Sequence, residues 1–222
     1  MNDEFNMSLM AIEDLNIFQY ERNDIIANAQ LDNILSAEEL KRADAFISED
    51  DKQWFKACRV TLRKQLANAL TCEPQAINFQ YNVDKKPFLA IKHRSLIQFN
   101  LSHTKDRLLI ALHGYKAVGV DIEKIQNKDH LSLAKRFFHD DEVKIFFSLS
   151  EAAQTLAFYR LWVIKESIAK AKGIGLFQVM QKISVQGFAN SNDIIVPEIP
   201  NAKIELLRVP NLYCAAICLL SD

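Results

Sequence analysis

The stretch "KAVGVDIEKI", residues 116–125, decides how the rest of the chain is read. Its alternation predicts a strand, with Val118, Val120 and Ile122 on one side and Asp121 and Glu123 on the other. Before it the chain runs through helices and then strands; after it the same order returns. "SAEELKRADAF" places Ser36 to cap a helix, with Glu39 three residues on as in a capping box. "DKQWFKACRVTLRKQLANAL" predicts a longer helix that buries Phe55, Cys58, Leu62 and Leu66. Short apolar runs in "INFQYNVDKKPFLA" and "LIQFNLSHTKDRLLIALHG", punctuated at Asp84–Pro87, predict strands and turns.

Beyond residue 125 the helical pattern resumes in "LAKRFFHDDEVKIFFSL" and in a helix starting at Ser150 and ending at Gly173. "KISVQGFA", "KIELLRV" and "LYCAAICLL" predict closing strands. The expected fold class is α+β, in a pseudo-twofold arrangement of two similar α+β lobes, residues 1–114 and 115–222, joined near Gly114–Tyr115. "LRKQLANAL" from Leu62 and "IKESIAKAK" from Ile164 superpose with Leu62 on Ile164 and Leu66 on Ile168, an echo that helical amphipathy alone also produces.

Composition narrows the function classes. The 222 residues are 49% hydrophobic, enough for a substantial core, and five glycines and five prolines leave little room for linkers. Twenty-seven Lys and Arg against 28 Asp and Glu give a net charge of -1, which argues against non-specific nucleic-acid binding. The N-terminus lacks a basic region followed by a long apolar run, and runs such as "LLIAL" are too short to cross a bilayer. Cys58, Cys72, Cys214 and Cys218 lack metal-ligand spacing and are expected to be buried free thiols of a cytoplasmic protein.

Three constellations carry chemistry. Asp121 and Glu123, two apart on a strand, are either a solvated edge or two carboxylates aimed at one hard cation such as Mg²⁺. In "LWVIKESIAKAKGIGL", Leu161, Ile164, Ile168 and Ala171 form an apolar face, while Trp162, Glu166 and Lys170 lie one turn apart on another. Glu166 beside Lys165 and Lys170 reads either as a wet helix ion pair or as a metal carboxylate flanked by phosphate-binding lysines. In "FNLSHTKD", Ser102, His103 and Lys105 form a cluster able to grip phosphate; with no G-x-S-x-G elbow, nucleophilic hydrolysis is discounted. Lys56, Arg59 and Arg63 form a basic stripe read as a solvated face, with anion binding as the alternative.

"FNLSHTKD", "GVDIE", "RFF" and "WVIKESIAKAKGIGL", in that order and preceded by "KKPFL", resemble the motifs of the 4'-phosphopantetheinyl transferases, in particular the two-lobed type that modifies carrier proteins. The resemblance implies transfer of the phosphopantetheine arm of coenzyme A to a serine of an acyl, aryl or peptidyl carrier protein, with Mg²⁺, releasing adenosine 3',5'-bisphosphate. It also implies a site between the lobes, an acidic carrier as partner and a monomer. Residue by residue, Asp121, Glu123 and Glu166 match the metal carboxylates, with Glu166 the candidate general base and Glu123 its competitor. Lys165 and Lys170 match the lysines of the tryptophan-containing motif, and Ser102 and His103 the residues at the coenzyme phosphates. Lysine 165 and His103 are expected to stabilise charge on the transferred and leaving groups. Lys86 and Pro87 fit the coenzyme-contacting G-K-P element, and Arg59 and Arg63 the positions facing the 3'-phosphate. Lys85 stands where that element has glycine, and Val163 where a small polar residue is usual. The competing reading is a non-catalytic module that holds coenzyme A or a carrier protein; the intact acidic positions argue against it.

Overall fold

The computed structural model describes residues 15–26, 33–126, 128–191 and 193–221; the N-terminal stretch read for a leader, residues 1–14, lies outside them. The first half builds strand β1 (Leu15–Glu21), short helices α1 (Arg22–Ile26) and α2 (Ala37–Asp44), and long helix α3 (Glu49–Leu70). A hairpin of β2 (Phe79–Tyr81) and β3 (Pro87–Leu89) follows, then β4 (Gln98–His103) and β5 (Arg107–His113). The second half builds β6 (Ala117–Lys124), α4 (His130–Phe137), α5 (Asp140–Ser148), α6 (Glu151–Lys172), α7 (Phe177–Met180), β7 (Ala202–Leu206) and β8 (Tyr213–Leu220).

Each half has a three-stranded antiparallel sheet, ordered β1-β5-β4 in the first and β6-β8-β7 in the second. In both, the first strand pairs with the last, and the last with the one before it. The expected α+β fold with two similar sheet-bearing regions is therefore present, and the faint sequence echo is structural. The alignment that sets Leu62 on Ile164 also sets Glu49 on Glu151 and Leu70 on Lys172, so two 22-residue helices start and stop together. Leu62, Leu66, Ile164 and Ile168 are all fully buried.

Local chemistry sets these ends. Ser48 caps α3 by accepting from Asp51 N at 3.3 Å, and Ser150 occupies the N-cap of α6. Gly173 ends α6 at φ +66°, a left-handed conformation that glycine adopts without strain. Apolar alternation on β5 divides the core. Leu108, Ile110 and Leu112 pack beneath α3 with Trp54, Leu62 and Phe99, whereas Leu109 and Ala111 turn the other way. There they meet Ile17, Val118, Val120, Ile122 and Ile217, so one apolar cluster joins both sheets. A third cluster sets α6 over Cys214, Ala216 and Cys218 of β8.

Several expectations are corrected. Lys56, Arg59 and Arg63 do not form a solvated stripe: all three are buried. Phe55 is only half-buried, against Phe46, and Trp54 takes its place in the core. The helical run after Leu131 breaks at Phe138, because His139 is extended and caps α5. "KISVQGFA" is not a strand: beyond an isolated bridge between Gln186 and Ile195, two of its amides go to side chains, with Val185 N donating to Glu142 Oε1 at 2.7 Å and Ser184 N to Glu198 Oε1 at 3.2 Å.

One buried device occurs twice. Glu39 and Glu142 each stand third in a capping box, on the short helix before the long one. Glu39 pairs with Arg63 at 2.7 Å and with Arg59 at 2.7 Å; Glu142 pairs with Lys165 at 2.8 Å. Arg63 and Lys165 hold the same place in their helices, next to Leu62 and Ile164. Each also donates to two carbonyls beyond the helix end, Arg63 to Pro74 O and Ile77 O, Lys165 to Met180 O and Ile183 O. The chemistry differs in balance. Burial pushes Glu39 up, but its two arginines outweigh this and hold its pKa below the ordinary value. Burial of Glu142, opposed by one lysine, leaves its pKa raised, and burial leaves that of Lys165 lowered.

Candidate functional site

The site begins with Gly119. A Cβ there would lie 2.1 Å from Ser167 O and 2.3 Å from Ala171 N, so α6 rests directly on the β6 backbone. The floor beneath α6 is small throughout: Gly119 lies opposite Cys218, Asp121 opposite Ala216 and Glu123 opposite Cys214. This close approach brings side chains of strand and helix together. Lys170 Nζ donates to Asp121 Oδ1 at 2.7 Å.

The first half of the chain closes the site along a seam. Among the described residues strand β6 pairs only with β8, and its other edge faces β4. Side chains, not a backbone ladder, satisfy that edge. Lys86 Nζ donates to Val118 O at 3.2 Å, Val120 N donates to Asn100 Oδ1 at 2.9 Å, and Ile122 N to Ser102 Oγ at 3.4 Å. Ser102 spends its whole hydrogen-bonding capacity here. Its hydroxyl donates to Asp121 Oδ1 at 2.8 Å and accepts from Lys170 Nζ at 3.0 Å as well as from Ile122 N. Asn100 was missed by the sequence reading; the available signal was its polarity, two residues from Ser102, between apolar Phe99 and Leu101.

Asp121 is 3% exposed, and its second oxygen, Oδ2, is buried with no hydrogen-bond partner. Burial, then the neighbouring charges of Asp121 and Glu166, push Glu123 up to about 7. Burial, followed by the Asp121 charge, also raises Glu166, with Lys170 opposing. Carboxylate pressure and an orphaned buried oxygen fit a hard divalent cation that keeps part of its water shell. Among the described residues no group of three or more His, Cys, Asp or Glu is arranged as a ready ligand set, and Asp121 Oδ1 is held by the lysine and the serine.

His103 ends β4 with its ring edge-on to Trp54, centroids 6.0 Å apart. Loss of water around the ring lowers its pKa from the ordinary 6.5, and the Lys170 charge adds to this. Trp162, half-buried, packs between Phe137 and Phe158 at 6.1 and 5.7 Å and so supports the helix rather than lining a pocket edge.

Other expected site residues lie elsewhere. The Lys165 ammonium is fully buried on the Glu142 side of α6, away from Asp121 and Lys170 in its bonding, because successive helical residues face different ways. The Arg63 guanidinium is committed to Glu39, Pro74 and Ile77, and Arg59 to Glu39 and the Phe79 ring. Lys86 is spent on Val118 O and, at 3.0 Å, Ala171 O; burial lowers its pKa to about 8. Pro87 is half-buried and pairs with Tyr81 in the hairpin. Lys85 takes φ +64°, the conformation that explains why glycine suits this position in the motif.

These features define a class: an α+β protein of two like-folded halves, with carboxylates and a lysine from the second half set against a serine and a histidine from the first. The comparisons with known proteins agree. The profile of the 4'-phosphopantetheinyl transferase superfamily matches residues 117–218, and that of the 4'-phosphopantetheinyl transferase N-terminal region matches residues 27–114. The chain is 30% identical over 207 residues to 4'-phosphopantetheinyl transferase Sfp of Bacillus subtilis, covering 85% of this chain and 88% of that one. It is 36% identical over 144 residues to 4'-phosphopantetheinyl transferase HetI of Nostoc, covering 64% and 61%. It is 35% identical over 116 residues to 4'-phosphopantetheinyl transferase gsp of Aneurinibacillus migulanus, covering 52% and 46%. The match thus spans about half to three-fifths of the length of the latter two. The chain belongs to the 4'-phosphopantetheinyl transferase superfamily. No helix among the described residues is long and apolar enough to cross a membrane.

Proposed function

We propose that the protein transfers the 4'-phosphopantetheine arm of coenzyme A to a serine of an acyl, aryl or peptidyl carrier protein in a Mg²⁺-dependent reaction. The observation that carries this reading is the unpartnered, buried Oδ2 of Asp121, beside Glu123 and Glu166, whose pKa values burial and the neighbouring Asp121 charge both raise. Asp121, Glu123 and Glu166 would hold the cation, which when bound supplies charge neutralisation and Lewis-acid assistance at the pyrophosphate. Lys170 and His103 stand beside that position and would meet the phosphates, with Ser102 holding Asp121 and Lys170 in place. The carrier hydroxyl attacks the phosphorus that bears the pantetheine arm. A serine oxygen–phosphorus bond forms and the pyrophosphate bridge breaks, so adenosine 3',5'-bisphosphate leaves with the bridging oxygen. Glu166 would take the serine proton, directly or through water, with Glu123 the competing base.

Lys165, Arg63 and Lys86 would act through the frame rather than at the phosphates, since they are held by Glu142, Glu39 and backbone carbonyls; Arg59 would do so through Glu39, with its Nη2 buried and unpartnered. The carboxylates, Lys170 and Ser102 meet within one chain, so a monomer would need no residue from a second copy to complete the site. An acidic carrier surface is expected to dock beside the seam between the two sheets.

The test is intact mass of an apo carrier protein incubated with this protein, coenzyme A and Mg²⁺, across several carrier types. A Mg²⁺-dependent gain equal to the phosphopantetheine arm is expected. Coenzyme A binding without a gain on any carrier would overturn transfer in favour of a binding module. Asp121→Ala and Glu166→Ala should each abolish the gain while circular dichroism stays unchanged; near wild-type rates would remove the metal assignment.

A further inference from the structure

The position of Lys170 carries a consequence for how a cation enters. Its ammonium lies 2.7 Å from Asp121 Oδ1 and 3.0 Å from Ser102 Oγ, so one oxygen of the buried carboxylate already has a positive partner. The other oxygen, Oδ2, has none and is sealed from solvent. Glu166, one turn earlier on α6, and Glu123, two residues along β6, add negative charge to the same neighbourhood. Without a metal, Lys170 is, among the described residues, the one cation bonded to this group of acidic side chains, Lys128 acting on Glu123 only through its charge. A divalent cation at Oδ2 would share the carboxylate with an ammonium already bound to it, and like charges this close repel strongly in a partly buried setting.

We infer that Lys170 is the resident counter-ion of the carboxylate group, competing with the divalent cation for Asp121 and released towards the ligand phosphates when the cation binds. Ser102 is the second half of the device. Its hydroxyl fixes the oxygen that the lysine shares and holds that oxygen against the β6 backbone. Cation arrival and lysine release are thereby one exchange. A phosphate-gripping charge becomes available only once the metal is in place, which favours loading of metal before, or together with, the phosphorylated ligand.

This inference rests on the metal-site reading proposed above, and its test separates the two. Mn²⁺ binding to the full chain without coenzyme A is followed by loss of the free-ion electron paramagnetic resonance signal, for wild type, Lys170→Met and Asp121→Asn. Lys170→Met is expected to bind Mn²⁺ about tenfold more tightly than wild type, because the competitor is gone. The same variant without metal should unfold at lower temperature than wild type, and Mn²⁺ should raise its midpoint more. Asp121→Asn should lose the binding in either background. Equal or weaker Mn²⁺ affinity in Lys170→Met, with binding still dependent on Asp121, would overturn the counter-ion role and leave the metal site standing. No Mn²⁺ binding by wild type or Lys170→Met would overturn both. Lys170→Arg, which keeps the charge, should stay near the wild-type affinity and guards against a folding artefact.

Discussion

The two halves repeat one topology, yet only the second carries the carboxylates, and the difference lies in what each long helix rests on. Beneath α3 the floor is Phe99, Leu101, Leu108, Ile110 and Leu112, so the helix stands off its sheet on large side chains. Beneath α6 the floor is Gly119, Asp121, Cys214, Ala216 and Cys218, and the helix lies far closer to β6 and β8. A distant helix makes a good apolar core. A close one lets a strand carboxylate reach a helix lysine. The positions of α3 that align with Glu166 and Lys170 are Lys64 and Asn68, both exposed, so the first half keeps the shape without the chemistry.

The severest way to break this contrast is to raise the floor. Gly119→Ala would press a methyl group into backbone atoms of α6, and we expect a loss of about 3 kcal/mol or more in denaturant unfolding together with loss of transfer. Leu62→Ala in the first half should cost a comparable 2–5 kcal/mol, roughly, through cavity formation. Its transfer rate per folded molecule should stay near wild type. If Gly119→Ala kept full activity, close packing would not be what assembles the site.

The twin buried clamps sharpen the comparison next. Removing one partner of a buried pair strands the other charge, so Glu39→Gln and Glu142→Gln should each lose about 3–5 kcal/mol. Lys165→Met should track Glu142→Gln in stability. A Lys165→Met protein that kept its unfolding midpoint but lost coenzyme A affinity would return Lys165 to the phosphates and end the analogy with Arg63.

The smallest effect is in pH dependence, and its sign differs between halves. Glu123 titrates near 7 in the fold against an ordinary 4.5, so between those values the folded state keeps a proton that the unfolded chain has lost. Its contribution to stability therefore falls as pH rises from about 4.5 to about 7 in metal-free protein. Glu39, held below its ordinary value by two arginines, contributes stability above that value and loses it as pH falls. Urea unfolding of Glu123→Gln across this range should be flatter than wild type on the alkaline side; an unchanged slope would remove Glu123 as its source.

The motifs in the sequence identified the family, the two-part fold and both ends of α6, because each depends on local chemistry: alternation, a serine cap, a terminal glycine. The carboxylates and Lys170 were legible for the same reason, since i and i+2 on a strand and i and i+4 on a helix have fixed directions. What was not legible was burial of charge. Arg59, Arg63 and Lys165 look like solvent-facing or phosphate-facing cations until Glu39 and Glu142 arrive from separate helices to meet them. Lys86 likewise reads as a ligand contact, and its carbonyl partners, Val118 and Ala171, belong to the other half of the chain. Residue type alone does not distinguish a cation that awaits an anion from one that has already found carbonyls.

The seam between β4 and β6 has a consequence outside catalysis. Both are edge strands of short sheets, the kind of surface on which another chain can add a strand. Here Lys86, Asn100 and Ser102 occupy the β6 edge with side chains, so its amides and carbonyls are matched by groups that a passing strand does not carry. An open strand edge is thus guarded, by three polar side chains, against being joined permanently by a strand of another chain.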